Sequence, residues 1–95
     1  MKKIETLEPG QKGIDTEGKI VEMSPVKTFT RMGSPGRVVV AVLKDDTGKI
    51  NLTLWDDEVE EYEKGDEIVV KNCSITEFRG VKQIKTGRKG TIEKN

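Results

Sequence analysis

Residues Lys49–Asp57 read KINLTLWDD, and this stretch decides the fold class. Ile50, Leu52 and Leu54 alternate with Lys49, Asn51, Thr53 and Trp55, the period of a half-buried strand. No other side of that strand is apolar, so the three aliphatic residues must face the core. The tryptophan, the only one in the chain, then falls on the polar side. Upstream, VVVAVLK (38–44) reads as a second strand. DDTG (45–48) reads as the tight turn between the two, with Gly48 at the position that tolerates positive φ. If Lys44 faces outward, Val40 and Val42 share the outer face with Trp55; the opposite phase puts them inside, and periodicity leaves both open.

Working outward, GIDTEGKIVEMSPVKTFT (13–30) reads as one long strand with a bulge or sharp bend at Gly18, and RMGSPGR (31–37) as a flexible loop. DDEVEEYEKGD (56–66) reads as a short helix capped by Asp56 or Asp57 and ended by Gly65, with Val59 and Tyr62 on one face. EIVVKNCSITEF (67–78) is a strand and Arg79-Gly80 a turn. VKQIKTGRKGTIEKN (81–95) is a last strand with a frayed end. The order strand, strand, strand, short helix, strand, strand predicts an all-β, five-stranded Greek-key OB-fold barrel, with one helix between strands three and four. Val59 and Tyr62 would plug one end. The 95 residues suit a single OB-fold domain, residues 1–95, with the barrel over about 10–92 after a short lead-in broken at Pro9-Gly10.

Only 33% of residues are hydrophobic and 36% are charged, a balance better met by a small barrel with one solvated face than by a bundle. Cys73 is the single cysteine, so neither an internal disulfide nor a cysteine zinc site is available. Cys73 reads as a small core residue in a chain suited to a reducing cytoplasm. The longest apolar run is Val38–Leu43, too short to span a membrane. There is no histidine, and neither GSPG nor TGRKG has the spacing of a nucleotide-triphosphate loop. Catalysis, a metal and a cofactor are therefore not expected.

Charge is zero overall but unevenly spread. Residues 45–67 carry ten acids against Lys49 and Lys64, a local sum of −8, while residues 1–44 sum to +3 and 71–95 to +5. In an OB barrel the connections between strands one and two and between strands four and five flank the binding face. The first holds Lys27, Phe29, Arg31 and Arg37; the second holds Phe78 and Arg79, with Lys82 and Lys85 beyond. An aromatic among bases is the composition of a groove for a single nucleic-acid strand. The two basic ends would meet around one cleft, with the acids at the far end of the barrel. Trp55 would stack a base there or fold over the barrel rim, and Phe78 would stack or close the barrel mouth.

The segments LKDDTGKINLTLWDD, KGDEIVV, EFRG and KTGRKG resemble the single-stranded-DNA-binding OB domains of archaeal replication protein A and the related simple archaeal and eukaryotic single-strand binding proteins. The resemblance covers about residues 5–92, and its most specific part is the aspartate–TG–isoleucine–tryptophan spacing from Asp45 to Trp55. It implies non-catalytic binding of single-stranded DNA with little sequence preference in replication, recombination and repair. By position Trp55 matches a stacking tryptophan, Phe78 an aromatic at the mouth of the last hairpin, and Arg88 a basic residue near the DNA path. Relatives often carry further aromatics where this chain has Ser74 and Lys85. The expected site is Trp55 and Phe78 as stacking platforms, with Phe29 a weaker third. Lys27, Arg31, Arg37, Arg79, Lys82, Lys85 and Arg88 would follow phosphates, and Asn51 and Thr53 would offer hydrogen bonds. Expected partners are single-stranded DNA, other replication or repair proteins, and further OB domains of a longer parent chain. The alternatives are a domain that mainly docks proteins and one that binds RNA.

Overall fold

The computed structural model describes residues 1–87 and 89–95. The strands are β1 (Ile14–Met23), β2 (Lys27–Arg31), β3 (Ser34–Lys44), β4 (Lys49–Trp55), β5 (Glu67–Phe78), β6 (Val81–Lys85) and β7 (Thr91–Lys94); a single helical turn, α1 (Glu58–Glu61), follows β4. Strands β1, β3, β4, β6 and β5 form a sheet that closes on itself, because β1 pairs with β3 on one side and β5 on the other. The β4–β6 pairing is parallel and the other pairings in the ring are antiparallel. The expected five-stranded barrel is present, with two additions, since β2 pairs along β3 and β7 along β5.

Closure depends on β1. Its first half pairs with β5 and its second with β3, and Lys19 pairs with both. A Cβ on Gly18 would lie 2.7 Å from the Lys44 carbonyl oxygen, so only glycine lets β1 and β3 cross this closely. A register shift between Ile20 and Glu22 completes the bend.

Two expected elements divide. The first strand breaks after Met23, where Ser24 and Pro25 interrupt the ladder, although Ser24 Oγ still accepts from Val40 N–H. Most of RMGSPGR is strand: Arg31 pairs with Ser34, and only Met32 and Gly33 form the turn, both at positive φ as a two-residue hairpin of type I′ requires. The last expected strand likewise separates into β6 and β7.

Ile50, Leu52 and Leu54 are buried in a core shared with Ile20, Leu43, Ile68, Val70, Ile75 and Ile84. Cys73 is also buried; its thiol donates to the Ile14 carbonyl at 3.2 Å, and burial pushes its pKa up to about 11. The plug differs from expectation. The helix ends at Glu61, Tyr62 is already extended, and Val59 is only half-buried. Four residues are too few to sustain the helical spacing that would align Val59 with Tyr62. Tyr62 alone goes inside, donating its hydroxyl to the Ile92 carbonyl at 2.8 Å. The Asp57 side chain makes no capping hydrogen bond.

The N-terminal segment contributes Ile4 and Leu7 to the core from a 3-10 turn, Ile4–Thr6. Asp45 fastens it. Its carboxylate accepts from the Ile4 N–H at 2.9 Å, the Thr47 N–H and hydroxyl at 2.7 and 2.6 Å, and the Gly48 N–H at 3.1 Å. The DDTG turn is therefore shaped by this aspartate, and Gly48 does not adopt the positive φ that its position suggested.

Burial raises the Asp45 pKa, but the Thr47 hydroxyl and the three N–H donors outweigh it and hold the group at about 2, against 3.8 unperturbed. A carboxyl with a depressed folded pKa stabilises above its unfolded value and loses that contribution as pH falls toward the folded one. Urea unfolding should therefore show stability falling between about pH 4 and pH 2. Asp45→Asn should flatten that fall and cost roughly 1–3 kcal/mol at pH 7. Gly18→Ala, which drives a methyl into the Lys44 backbone, should cost about 1–3 kcal/mol in the same assay.

Candidate nucleic-acid interface

Because Ile50, Leu52 and Leu54 point inward, Asn51, Thr53 and Trp55 point outward. The register carries that face across the sheet. Val38, Val40 and Val42 stand opposite Trp55, Thr53 and Asn51, which fixes the valines that periodicity left open on the outer face. On the other side Asn51 is level with Gln83, Gln83 with Thr76, and Lys85 with Ser74. A cleft of about 390 Å³ lies on this face, walled by Arg31, Thr53, Trp55, Asp56, Thr76, Gln83, Lys85, Thr86 and Gly87.

Trp55 is 44% exposed at the end of β4, and the β2–β3 hairpin holds it there. Phe29 meets the indole edge-on, with centroids 5.8 Å apart and planes at 87°. The Phe29 ring lies over Gly36, its cross-strand partner, where a Cβ would come within 2.4 Å of the ring. The Arg31 guanidinium sits 5.2 Å from the Phe29 centroid and 5.9 Å from that of Trp55. On the polar side Asp56, at positive φ, ends the strand, and the Trp55 N–H donates to Glu58.

The other expected residues divide into groups. Phe78 is exposed on the outer face, paired with Val81 across a two-residue turn in which Arg79 and Gly80 both have positive φ. The Arg79 guanidinium lies 5.2 Å from the Phe78 ring. Lys27 is exposed at the start of β2, and Lys85 lines the cleft. Two bases are directed elsewhere. Arg37 is ion-paired with Glu60 and donates to the Asp56 carbonyl; Lys82 donates to the Leu7 carbonyl at 2.9 Å and lies 3.6 Å from Glu8. Lys82 shares the inward side of β6 with Ile84, the opposite side from Gln83 and Lys85. Arg88 lies outside the described residues.

The two expected loops do not meet. Continuing the parallel register from Asn51–Gln83 sets Gly87 beside Trp55 and Val81 beside Lys49. The Phe78 hairpin is therefore at the opposite end of β4 from Trp55, and Thr86 and Gly87, just after β6, line the cleft there instead. Nor do all the acids lie at the far end, since Asp56 lines the cleft and Glu60 holds Arg37. Thr76, Gln83, Thr86 and Gly87 join the face unforeseen. The alternation of Thr76 and Phe78 with buried Cys73 and Ile75 was the signal that could have found Thr76. Among the described residues no group of three or more His, Cys, Asp or Glu is placed to hold a metal, and no helix is long and apolar enough to cross a membrane.

A family model described as single-stranded DNA binding protein Ssb-like, OB fold, matches residues 7–94. The chain is 28% identical over 101 residues to an uncharacterized protein of Arabidopsis thaliana, covering 96% of this chain and 66% of that protein. It is 24% identical over 90 residues to the single-stranded DNA binding protein Ssb of Saccharolobus solfataricus, covering 95% of this chain and 61% of that one. The chain thus spans somewhat less than two thirds of these curated relatives. A crystallised domain of replication protein A from Methanococcus maripaludis superposes with a TM-score of 0.76 at 30% identity, covering 98% of this chain and 92% of that one. With the family match running through every strand of the barrel, the chain belongs to the Ssb-like family of single-stranded-DNA-binding proteins with an OB fold.

Proposed function

We propose that this domain binds single-stranded DNA, without catalysis and with little sequence preference, in replication, recombination and repair. The observation that carries the reading is the exposed Trp55 ring in an outer-face cleft beside Arg31 and Lys85. An indole face accepts any base, because every base has a π face, and such stacking is worth about 1–3 kcal/mol per base. Family membership and the resemblance to a named Ssb and to a replication protein A domain support DNA as the ligand.

Phe78 would stack a second base at the far end of the face, backed by Arg79. Phe29 would act chiefly as a strut, because its ring already packs perpendicular to Trp55 and lies on Gly36. Arg31 and Lys85 would neutralise phosphates near Trp55, with Lys27 and Arg79 at the margins. Thr53, Asn51, Gln83 and Thr76 would offer hydrogen bonds to sugars and base edges without selecting a sequence.

Tryptophan fluorescence titrated with oligo-dT tests binding and stacking together, since Trp55 is the sole indole. Quenching is expected, with log affinity falling against log salt by about 0.7 per phosphate neutralised; a flat salt response would remove the basic groups from the account. Trp55→Ala, followed by anisotropy of a labelled oligonucleotide, should lose roughly 1–3 kcal/mol. A folded alanine variant that binds as well as the parent would end the stacking role. Gly36→Val should leave the fold intact, displace Phe29, alter the near-ultraviolet dichroism of Trp55 and weaken binding several-fold. Running oligo-rU in parallel separates RNA from DNA binding, the two strands differing only in the 2′-hydroxyl and the thymine methyl.

A further inference from the structure

Outside the cleft, one arrangement of charge is unexplained. Lys19 stands directly opposite Lys44, and Lys44 directly opposite Lys49, so three lysines lie in a row across β1, β3 and β4. Side chains opposed in this way are close neighbours, and like charges there repel. Lys64 joins them. With Lys19 and Lys44 it borders an open depression of about 750 Å³ beside Gly65. Lys49 and Lys64 are the only bases among residues 45–67, and folding brings both to the same basic row.

Internal neutralisation does not account for the row. Among the described residues the ion pairs engage Lys3, Arg37, Lys82 and Lys94, and none of these four lysines. The nearby carboxylate of Asp45 is committed to the donors of Ile4, Thr47 and Gly48. Glu67 stands on β5 opposite Lys19, and it lines a pocket with Glu17, Asp45, Lys19 and Lys44, so acids border the β1 end of the row, though none among the described residues forms an ion pair with it.

The row is continuous with the face already described. Lys44 and Lys49 lie on the same outer side as Val42 and Asn51. Lys49 precedes Trp55 by six positions, about 20 Å along an extended strand. In the parallel register Lys49 also falls beside Val81, at the base of the Phe78 hairpin. A strand stacked on Trp55 and then on Phe78 would arrive at these ammonium groups.

We propose that Lys19, Lys44, Lys49 and Lys64 form a second phosphodiester-binding tract that takes the single strand as it leaves the stacking face. This rests on the single-strand-binding reading above. The tract lengthens the site and contributes salt-dependent affinity without touching the bases. It also gives the acidic stretch a purpose for its two lysines.

The test uses oligo-dT of about 5 and about 15 nucleotides, which bracket the range a single OB fold occupies. The protein is the parent chain and a variant carrying Lys19→Gln, Lys44→Gln, Lys49→Gln and Lys64→Gln. Removing mutual repulsion should leave the urea midpoint unchanged or higher, so loss of fold does not confound the result. The variant should bind the short oligonucleotide like the parent, with the same Trp55 quenching. For the long one its salt slope should fall by about 0.7 for each phosphate no longer neutralised, and its affinity at low salt by tenfold or more. An unchanged slope with the long oligonucleotide, with quenching retained, overturns the tract and leaves stacking intact. Equal losses with both lengths also overturn it, since the lysines would then act through overall charge. Absence of binding by the parent chain at low salt overturns the single-strand reading, and the tract with it.

Discussion

The close approach of two backbones at Gly18 is the constraint on which the molecule depends. A barrel of five short strands closes only if one strand belongs to both halves of the sheet, and here β1 does so by changing partner within ten residues. The change brings Gly18 against the Lys44 carbonyl, where a side chain has no room. Once β1 is bent, β3 and β4 are held across one wall and β5 and β6 across the other. The parallel β4–β6 pairing then seals the ring. A small hydrophobic inventory suffices because closure gives every ring strand a partner on each side over at least part of its length.

Closure also decides what the outer face can be. Every inward position on β4 is aliphatic and fully used by the core, so the outer positions are released from packing. Trp55 is the last of these, at the point where the β2–β3 hairpin rises beside the barrel. An indole on a strand end is mobile unless something limits it. Phe29 and Gly36 supply that limit as a pair, the glycine making room for a ring that in turn packs at right angles to the indole. A preorganised aromatic loses less conformational entropy when a base settles on it than a free one would. The proposed platform is thus built from a hairpin that composition alone presents as a loose loop.

What the sequence made legible was local periodicity. The alternation of residues 49–55, the hairpin to β3, the bend at Gly18 and the outward tryptophan all follow from side-chain order along one or two strands. What it concealed was set by partners distant in the chain. Lys82 looks like a groove cation because it follows Phe78, but Leu7 and Glu8 claim it from the N-terminus. Arg37 is held by Glu60, 23 residues on. Asp45 reads as turn chemistry and performs it through Thr47 and Gly48, but the same carboxylate also ties down Ile4, 41 residues back. RMGSPGR reads as a loop because Gly, Pro and Ser punctuate it, yet its glycines serve a type I′ turn and the seat of the Phe29 ring within a continuous hairpin. Local charge order is a poor guide to which cations remain available, since each ion pair is chosen by the tertiary fold.

The distribution of charge over the finished surface bears on how one domain with so few aromatics could hold a polyanion. Ser74 and Lys85 stand level on β5 and β6, the two places where the sequence resemblance leads one to expect rings. A lysine there exchanges stacking for Coulomb attraction, which is longer-ranged but screened by salt within about 10 Å at 0.1 M. Asp56 works against that attraction at the Trp55 end. The outer face carries Asp56 together with Arg31 at the Trp55 end of β4, and Lys44 and Lys49 at its start. On the proposed reading a polyanion crossing this face would meet a ring at each end, Trp55 at one and Phe78 at the other, with the lysines on the Phe78 side. If the proposed site is right, binding by a domain built this way would depend more on salt than binding by one lined with several aromatics.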